Sequence, residues 1–347
     1  MLSENGPCVT DGPNATKFNP NSWTEHFNVV YLDQPAGVGF SYVDNRTDGE
    51  PPAMPSRTQA SSLTPASSLD SIAFIRLLYE ASPSLASADL HLSGGSFAGR
   101  YVPTLAASIL EYNSFFDHSP EARGAVIPLR SIFVGNPWID LAVQVPSMHE
   151  VSCFDGWRGK YPRQLKEEDC KALEGALTPC EKLLRACEQG SARPPLCAMA
   201  VDACRPDYLE VFQKATRSVY DRRLRHCPGP GNCYPDVANP VQYLNSPAVL
   251  DGEFEVALRT RGAKTGWEME DWPTFKRFSA SGDFVAPMTA ALRALLEDSR
   301  EGKTASGSRR PLDVLLYIGV MDIICNPDGV LEALRGICEE SRRVRKE

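Results

Sequence analysis

The sequence predicts an α/β fold, in which helices cover a mostly parallel sheet. Short apolar runs that end in Gly, Pro or Asp recur along the chain, which is typical of strands buried in such a sheet. Stretches with helical periodicity alternate with these runs, and a serine flanked by glycines follows the second run directly. With 347 residues, 42% of them hydrophobic, the chain can bury a large core, and we expect one large domain with an insertion.

Four apolar runs are predicted to be strands covered on both faces. Loops at the carboxyl ends of such strands carry the chemistry in open α/β sheets. The runs are FNVVYLDQP (Phe27 to Pro35), ADLHLSGGS (88–96), LRSIFVGNP (129–137) and LDVLLYIGVMD (312–322).

Two amphipathic helices are predicted between the strands. Residues 45–68 are rich in Ser, Pro and Thr and predict an exposed loop, after which residues 69–83 predict a helix that ends at Pro83. Residues 101–113 predict a second helix, with Pro103 early in it, where proline is tolerated. The residues expected on the buried faces are Ile72, Ile75, Leu78 and Tyr79 in the first helix and Leu105, Ile109 and Leu110 in the second.

The charge of the chain excludes some classes of partner. A formal net charge of -8 and a pI of about 5.3, without a long Lys/Arg cluster, argue against nucleic acid or an anionic membrane surface as the main partner. No run approaches the roughly 18 apolar residues of a membrane span. The start, MLSENGPCV, lacks the basic and apolar regions of a signal peptide.

The cysteines nevertheless predict the secretory pathway. Eight of the eleven lie between Cys153 and Cys233, a density typical of disulfide-bonded segments. Two glycosylation sequons, at Asn14 and Asn45, favour the same compartment. We therefore expect a secreted or vacuolar protein whose targeting segment is not in this chain.

Four of these cysteines predict a disulfide-bonded helical hairpin. Their spacings are 7, 10 and 7, and residues seven apart lie almost on one face of a helix. Two antiparallel helices would then pair Cys180 with Cys204 and Cys187 with Cys197. A metal site is the alternative, but the chain has no C-x-x-C pair, so we predict no metal and no cofactor.

The segment Gly94-Gly95-Ser96-Phe97-Ala98 has the pattern of a nucleophile elbow, with alanine in place of the usual last glycine. Small residues two before and two after the serine are needed because the strand-to-helix turn is tight. Such a turn exposes Oγ and directs the N–H of residue 97 to the place where an oxyanion forms. The alternative is a Gly/Ser loop without a role, and these five residues alone do not decide between the two.

The wider motif order resembles the serine carboxypeptidase family, secreted or vacuolar enzymes that remove C-terminal amino acids. The segments that carry the resemblance cover nearly the whole chain; they are SENGPC, FNPNSWTEHFNVVYLDQPAGVGFSY, SGGSFAGRYVPTLA, IFVGNPWID, CPGPGNCYPD, YLNSP, FSASGDFVAPM and VLLYIGVMDIICN. The resemblance implies an α/β-hydrolase fold with a disulfide-rich helical insertion, or cap. It places the first part of the core at 1–149, the insertion at 150–235 and the second part of the core, with a charged tail, at 236–347.

The resemblance also assigns roles to individual residues. Ser96 becomes the nucleophile, the N–H of Phe97 one oxyanion donor, and Asp322 the acid that orients a histidine base. Glu4, in ENGP, matches a residue that helps to bind the terminal carboxylate of the substrate. Val320 stands where the family has a further aspartate.

For the remaining cysteines, the resemblance supports a pair between Cys227 and Cys233 and suggests one between Cys153 and Cys170. Cys325 matches a free cysteine near the family's active site. No partner is predicted for Cys8 and Cys338.

The histidine of the family follows the aspartate in a Gly-His motif, whereas no histidine follows Asp322 here. We expect the five histidines present to be structural or on the surface, and the base to be a histidine outside this chain. The five are His26, His91, His118, His149 and His226. Of these, His91 lies in the strand before Ser96, where we expect sheet packing to fix it.

Two further departures concern the substrate site. The family has a glycine-rich segment before ENGP that supplies a second oxyanion donor, while this chain begins three residues before Glu4. Gly95 replaces a family glutamate that shares a proton with the residue matching Glu4. We therefore expect a truncated gene model or pseudogene product, and altered substrate preference or relaxed function even in a complete chain.

The function predicted is a serine-type carboxypeptidase that acts on peptide or protein C-termini through an acyl-enzyme on Ser96. One alternative is a catalytically inactive family member that binds peptide or protein. Another is an acyltransferase on the same scaffold, because a fold does not fix the reaction.

Overall fold

The structure, a computed structural model, consists of two compact units. The first unit comprises Met1–Ser61 and Leu224–Phe278, and the second Ser62–Arg223 and Ser279–Glu347. The residues described are 2–39, 41, 63–115, 126–154, 162–189, 193–204, 206–224, 226–227, 233, 235–250, 267–268, 270–301 and 311–344. The three domain segments predicted above stay a prediction.

The strands and helices of the described residues are numbered in chain order. The strands are β1 (Cys8–Thr10), β2 (Thr16–Phe18), β3 (Leu90–Gly95), β4 (Leu129–Gly135) and β5 (Asp313–Tyr317). The helices are α1 (Leu63–Ala81), α2 (Ala98–Ser114), α3 (Leu141–Cys153), α4 (Glu167–Gln189), α5 (Arg193–Cys204), α6 (Pro206–Lys214), α7 (Pro235–Leu244), α8 (Pro247–Leu250), α9 (Trp272–Ser281), α10 (Thr289–Glu301) and α11 (Pro327–Val344).

The second unit contains a parallel sheet in the order β3-β4-β5. At its carboxyl edge Gly95 pairs with Gly135, and Gly135 pairs with Tyr317. The residues that follow these three positions therefore emerge at one edge of the sheet, where α/β proteins carry their sites.

One face of this sheet packs against α1, α2 and α10. The buried cluster there contains Ile72, Ile75, Val102, Leu105, Ala106, Ile109, Ile132, Val134 and Leu295. The predicted helix faces are confirmed for six of the seven residues, since Ile72, Ile75, Leu105 and Ile109 are buried and Tyr79 and Leu110 pack against the same cluster. Leu78 is only half-buried. On the other face, alternate residues of β3 and β5 are exposed, among them Leu315 at 51% and Tyr317 at 46%. The prediction of strands covered on both faces is therefore wrong for β3 and β5, while β4 has no exposed residue.

The strand predicted at Phe27 to Pro35 is wrong. These residues form no ladder with another strand in the part of the chain that the structure describes, and Phe27 and Val30 are more than half exposed. A strand needs hydrogen bonds to a neighbouring strand, and the composition of an apolar run does not specify that neighbour.

The loop predicted at 45–68 is corrected at its end, because α1 begins at Leu63. Small polar residues in the first turns of α1 are buried, and the Ser68 hydroxyl donates to the Thr64 carbonyl at 3.0 Å. The Ser- and Thr-rich composition was therefore compatible with a helix, because hydroxyl groups of Ser and Thr can donate hydrogen bonds to backbone carbonyls of the preceding helical turn. Residues 45–62 lie outside the described residues.

All four predicted disulfides are present. Cys180–Cys204 and Cys187–Cys197 join α4 to α5 as a hairpin, which is the pairing that the spacing predicts. Cys153–Cys170 joins the end of α3 to the first turn of α4, and Cys227–Cys233 closes a short loop in the first unit. The remaining three cysteines, Cys8, Cys325 and Cys338, are free thiols.

Candidate active site

Ser96 occupies the turn between β3 and α2 in a left-handed backbone conformation, with φ of 55°. Its N–H donates to the Gly135 carbonyl at 2.9 Å, and its carbonyl accepts from the N–H groups of Gly99 and Trp138 at 2.9 and 3.0 Å. A non-glycine residue in this conformation costs about 1–3 kcal/mol and persists where its surroundings hold it. The residue is exposed, so the turn presents the hydroxyl to solvent as an elbow does.

Two glycines let the elbow form because other atoms approach them closely. A Cβ on Gly94 would lie 2.4 Å from the Cβ of Ala98, and one on Gly99 would lie 2.6 Å from the Trp138 nitrogen. A Cβ on Gly95 would meet only the Gly135 carbonyl oxygen, at 3.7 Å. Glycine is therefore required by packing at 94 and 99, but not at 95.

Phe97 is the N-cap residue of α2, so its N–H lies at the positive end of that helix. Its ring stacks on Phe284, with ring centroids 5.4 Å apart, and meets Tyr101 edge-on at 5.4 Å. The side chain thus packs among aromatic residues while the N–H is adjacent to Ser96.

Asp322 lies just beyond β5, at the same edge of the sheet. Asn136 Nδ2 donates to its Oδ2 at 2.6 Å, and the Cys325 N–H donates to its Oδ1 at 3.1 Å. Burial raises the pKa of Asp322, and these donors act in the opposite direction by favouring the carboxylate.

Asn136 is a site residue that the sequence reasoning missed. It directly follows β4, has φ of 42°, and accepts a hydrogen bond from the Gly319 N–H at 3.1 Å while it donates to Asp322. The signals in the sequence were its position after a predicted strand and its place in IFVGNPWID, one of the segments that carry the family resemblance. Because Ser96 donates its N–H to Gly135, the residue before Asn136, the elbow and the aspartate are linked through the end of β4.

The free thiol of Cys325 is buried below Asp322. Burial, followed by the nearby Asp322 carboxylate, raises the pKa of this thiol strongly, so it stays protonated at neutral pH. A protonated thiol is a poor nucleophile. We therefore assign the Cys325 side chain no chemical role: it is part of the buried surroundings of Asp322.

Glu4 belongs to the first unit, where it is exposed and has φ of 50°. Its carbonyl accepts a hydrogen bond from Asn19 Nδ2 at 2.8 Å. The contact of Glu4 with a substrate carboxylate stays a prediction.

Two described histidines belong to the same unit as Ser96, and both make other contacts. His91 stacks on Phe133 of the neighbouring strand and lies 2.5 Å from the Ser131 hydroxyl, while His149 packs edge-on against Phe154. His26 and His226 belong to the first unit, and His118 lies outside the described residues.

Within the described residues, no group of three or more His, Cys, Asp or Glu side chains is placed to hold a metal ion. None of the helices described is both long and apolar enough to cross a bilayer.

Comparison with known proteins identifies the family. The chain is 30% identical to carboxypeptidase Y of Candida albicans over 328 residues, which is 94% of this chain and 51% of that protein. It is 29% identical to carboxypeptidase Y homolog A of Talaromyces marneffei over 310 residues, 89% of this chain and 47% of that protein. The chain therefore spans about half the length of these curated relatives.

A solved structure shares the fold. The prohormone-processing carboxypeptidase of Saccharomyces cerevisiae superposes with a TM-score of 0.65 at 22% identity, covering 96% of this chain and 64% of that protein. This likeness confirms the α/β-hydrolase fold. The serine carboxypeptidase family profile matches residues 1–337, and the chain belongs to that family.

Proposed function

We propose that this protein is a serine-type carboxypeptidase that releases C-terminal amino acids from peptides and proteins. The observation that carries the proposal is the left-handed, exposed Ser96 at a strand-to-helix turn, in a chain that belongs to the serine carboxypeptidase family. A serine in this setting is held for attack on a carbonyl carbon.

In the proposed mechanism, Ser96 Oγ attacks the last peptide carbonyl and passes its proton to a histidine base. The N–H of Phe97 donates to the oxyanion of the tetrahedral intermediate. Collapse of the intermediate releases the C-terminal amino acid, which takes the proton from the base, and water then hydrolyses the acyl-enzyme. The base is a histidine other than His91 and His149, whose contacts lie elsewhere.

Asp322 orients that base, and Asn136 holds Asp322. The 2.6 Å hydrogen bond from Asn136 fixes one carboxylate oxygen, and the Cys325 N–H fixes the other. Both donors lower the pKa of Asp322 and so oppose the effect of burial. An ionised Asp322 can stabilise the positive charge that forms on the histidine base.

The substrate side of the proposal rests on Glu4 and Gly95. Glu4 contacts the terminal carboxylate, and Gly95 leaves the position beside Ser96 without a second carboxyl group. Discrimination in favour of a free C-terminus is therefore weaker than a pair of carboxyl groups would give.

We place the protein in the secretory pathway, either outside the cell or in a vacuole. Four disulfides support an oxidising compartment. The partners proposed are the C-termini of peptides and proteins.

The test begins with covalent labelling of Ser96. A fluorophosphonate probe is reacted with the protein, and mass spectrometry locates the adduct in the peptide that carries Ser96. Ser96→Ala should abolish labelling, whereas Ser93→Ala, a matched control three residues earlier on β3, should not. Peptides with free and amidated C-termini are then compared for release of the last residue, first alone and then with an added amine acceptor.

A second candidate is a family member that binds peptides without cleaving them. The engagement of His91 and His149 by other residues favours it. A folded protein that binds peptides and whose Ser96 is not labelled would support this candidate. Transfer of the acyl group to the amine would indicate an acyltransferase.

A further inference from the structure

Arg100 is a fully buried cation that the proposed mechanism does not use. It lies in the first turn of α2, three residues after Phe97, and none of its surface is exposed. Arginine is almost never fully buried unless it is paired. Burial lowers the pKa of Arg100 to about 10, and the Asp283 carboxylate opposes this effect, so the side chain is charged at neutral pH.

The guanidinium group holds one short segment, residues 283–286, that precedes α10. Nη2 forms an ion pair with Asp283 Oδ1 at 3.7 Å and donates to the Asp283 carbonyl, while Nη1 donates to the Ala286 carbonyl. The other carboxylate oxygen of Asp283 accepts from the N–H of Thr64 at 2.9 Å and from its hydroxyl. The rigid, planar fork of arginine suits a contact with two carbonyls, which a lysine cannot reproduce.

The same segment carries the ring that packs on the elbow. Phe284 stacks on Phe97 at an interplanar angle of 26° and meets Trp138 edge-on at 5.6 Å. Arg100 itself lies over the Phe97 ring, with Cζ 5.6 Å from the centroid. The backbone N–H of Trp138 also donates to the Ser96 carbonyl, so the residue that packs against Phe284 is joined to the turn through its main chain.

We propose that Arg100 is a positioning residue for the oxyanion donor. It holds segment 283–286, so that Phe284 stays stacked on Phe97, and this fixes the Phe97 N–H beside Ser96. The inference rests on the proposed function for its catalytic meaning, but the contacts through which it acts do not involve a substrate. A buried ion pair adds little to the free energy of unfolding, because desolvation of the two charges offsets their attraction. We therefore assign the Arg100–Asp283 pair the role of holding segment 283–286 in place.

Three variants test the proposal. The double variant Arg100→Met with Asp283→Asn removes the ion pair without leaving a lone buried charge. Phe284→Leu keeps the ion pair and removes the stacked ring. Arg100→Lys keeps the charge and loses the fork.

Arg130→Met is the matched control. Arg130 also donates to a carbonyl, that of Pro311, and pairs with an aspartate, Asp313, at 2.8 Å. It belongs to the amino-terminal end of β4, whereas Ser96 lies at the carboxyl edge of the sheet.

Two readouts are used, and the second needs no reaction. The first is the rate constant for fluorophosphonate labelling of Ser96. The second is the NMR signal of the Phe97 amide, obtained with carbonyl-13C serine and 15N phenylalanine. This labelling detects only Ser-Phe pairs, which occur at 96–97 and 114–115, so Phe115 is an internal reference.

The double variant and Phe284→Leu should each slow labelling by roughly 10- to 100-fold, because a misplacement of about 1 Å costs up to 100-fold in rate. Both should shift the Phe97 amide signal or speed its hydrogen exchange, without changing Phe115. Arg100→Lys should be labelled faster than the double variant but more slowly than the wild type. Arg130→Met should be labelled at the wild-type rate.

Labelling within about twofold of the wild type in the double variant would overturn the proposal, because a misplaced donor costs far more than this. An unmoved Phe97 amide in every variant would also overturn it. If the wild-type protein is not labelled at all, the proposed function fails, and the Phe97 amide alone then decides whether Arg100 holds this residue.

Discussion

One added methyl group at either of two adjacent glycines gives a sharp test of the elbow. Gly94→Ala places a Cβ 2.4 Å from the Cβ of Ala98, whereas Gly95→Ala places one 3.7 Å from the Gly135 carbonyl oxygen. Ordinary van der Waals contacts begin near 3.4 Å, so Gly94→Ala forces β3 and α2 apart by about 1 Å.

The magnitude follows from that displacement. Overpacking of this kind costs about 1–3 kcal/mol. Both substitutions remove similar freedom from the unfolded chain, a term of about 0.4–1 kcal/mol that cancels when they are compared. Gly94→Ala should therefore be about 1–3 kcal/mol less stable than Gly95→Ala, and its Ser96 should be labelled roughly 100-fold more slowly.

The assay combines chemical denaturation with the rate of fluorophosphonate labelling, for both variants under the same conditions. Equal stability and equal labelling of the two variants would refute the close approach of β3 and α2 on which the elbow depends. A loss in Gly95→Ala as large as that in Gly94→Ala would refute the open space beside Ser96.

The other predictions concern charge and covalent links. Gly95→Glu should fold, because a Cβ at this position meets only the Gly135 carbonyl oxygen, at 3.7 Å. As the new carboxyl group ionises, the preference for free over amidated C-termini should fall from pH 4 to pH 7. Peptide assays at both pH values test this, and an unchanged preference would contradict it. Burial raises the pKa of Asp322 above 3.8, so the folded state holds its proton more tightly and loses stability as pH rises from 3.8 through the raised pKa. Asp322→Asn should therefore gain stability relative to the wild type across that pH range, as measured by denaturation in urea, and a difference that is constant with pH would contradict the shift. Replacing Cys180 and Cys204 with alanine removes a disulfide that spans 24 positions and should lower the free energy of unfolding by about 3.5 kcal/mol. Alanine at the exposed, free Cys338 should change it little. Equal effects of the two changes in a denaturation assay would contradict this prediction.

The parts of the fold that the sequence predicted correctly depend on local geometry. The α4–α5 disulfides followed from cysteines seven apart, because seven residues make almost two helical turns. The small residues around Ser96 are compatible with a tight turn, but the elbow was assigned only with the wider family resemblance. For the disulfides, by contrast, four cysteines on neighbouring helices contain the whole constraint.

The parts that failed or were missed depend on residues distant in sequence. The run from Phe27 to Pro35 has the composition of a strand, but composition does not supply a partner strand. Asn136 and Arg100 lie in IFVGNPWID and SGGSFAGRYVPTLA, but neither segment specifies their contacts, which lie 186 and 183 positions away, at Asp322 and Asp283. No local sequence pattern predicts a contact over such a distance in sequence, so the roles of both residues could be recognised only in the folded structure.

The order of strands in the sheet has a consequence for biosynthesis. The partner of β4 on one side is β5, and about 180 residues must be translated between the end of the first and the start of the second. At about 5–20 residues per second this takes roughly 9 to 36 s, during which the β4 edge is open to other chains. The α4–α5 hairpin, with links across 24 and 10 positions, can close during that interval. The aspartate side of the site is thus added after the cysteine-rich segment has been synthesised, and a ribosome that stalls before β5 leaves an oxidised protein with an unfinished sheet.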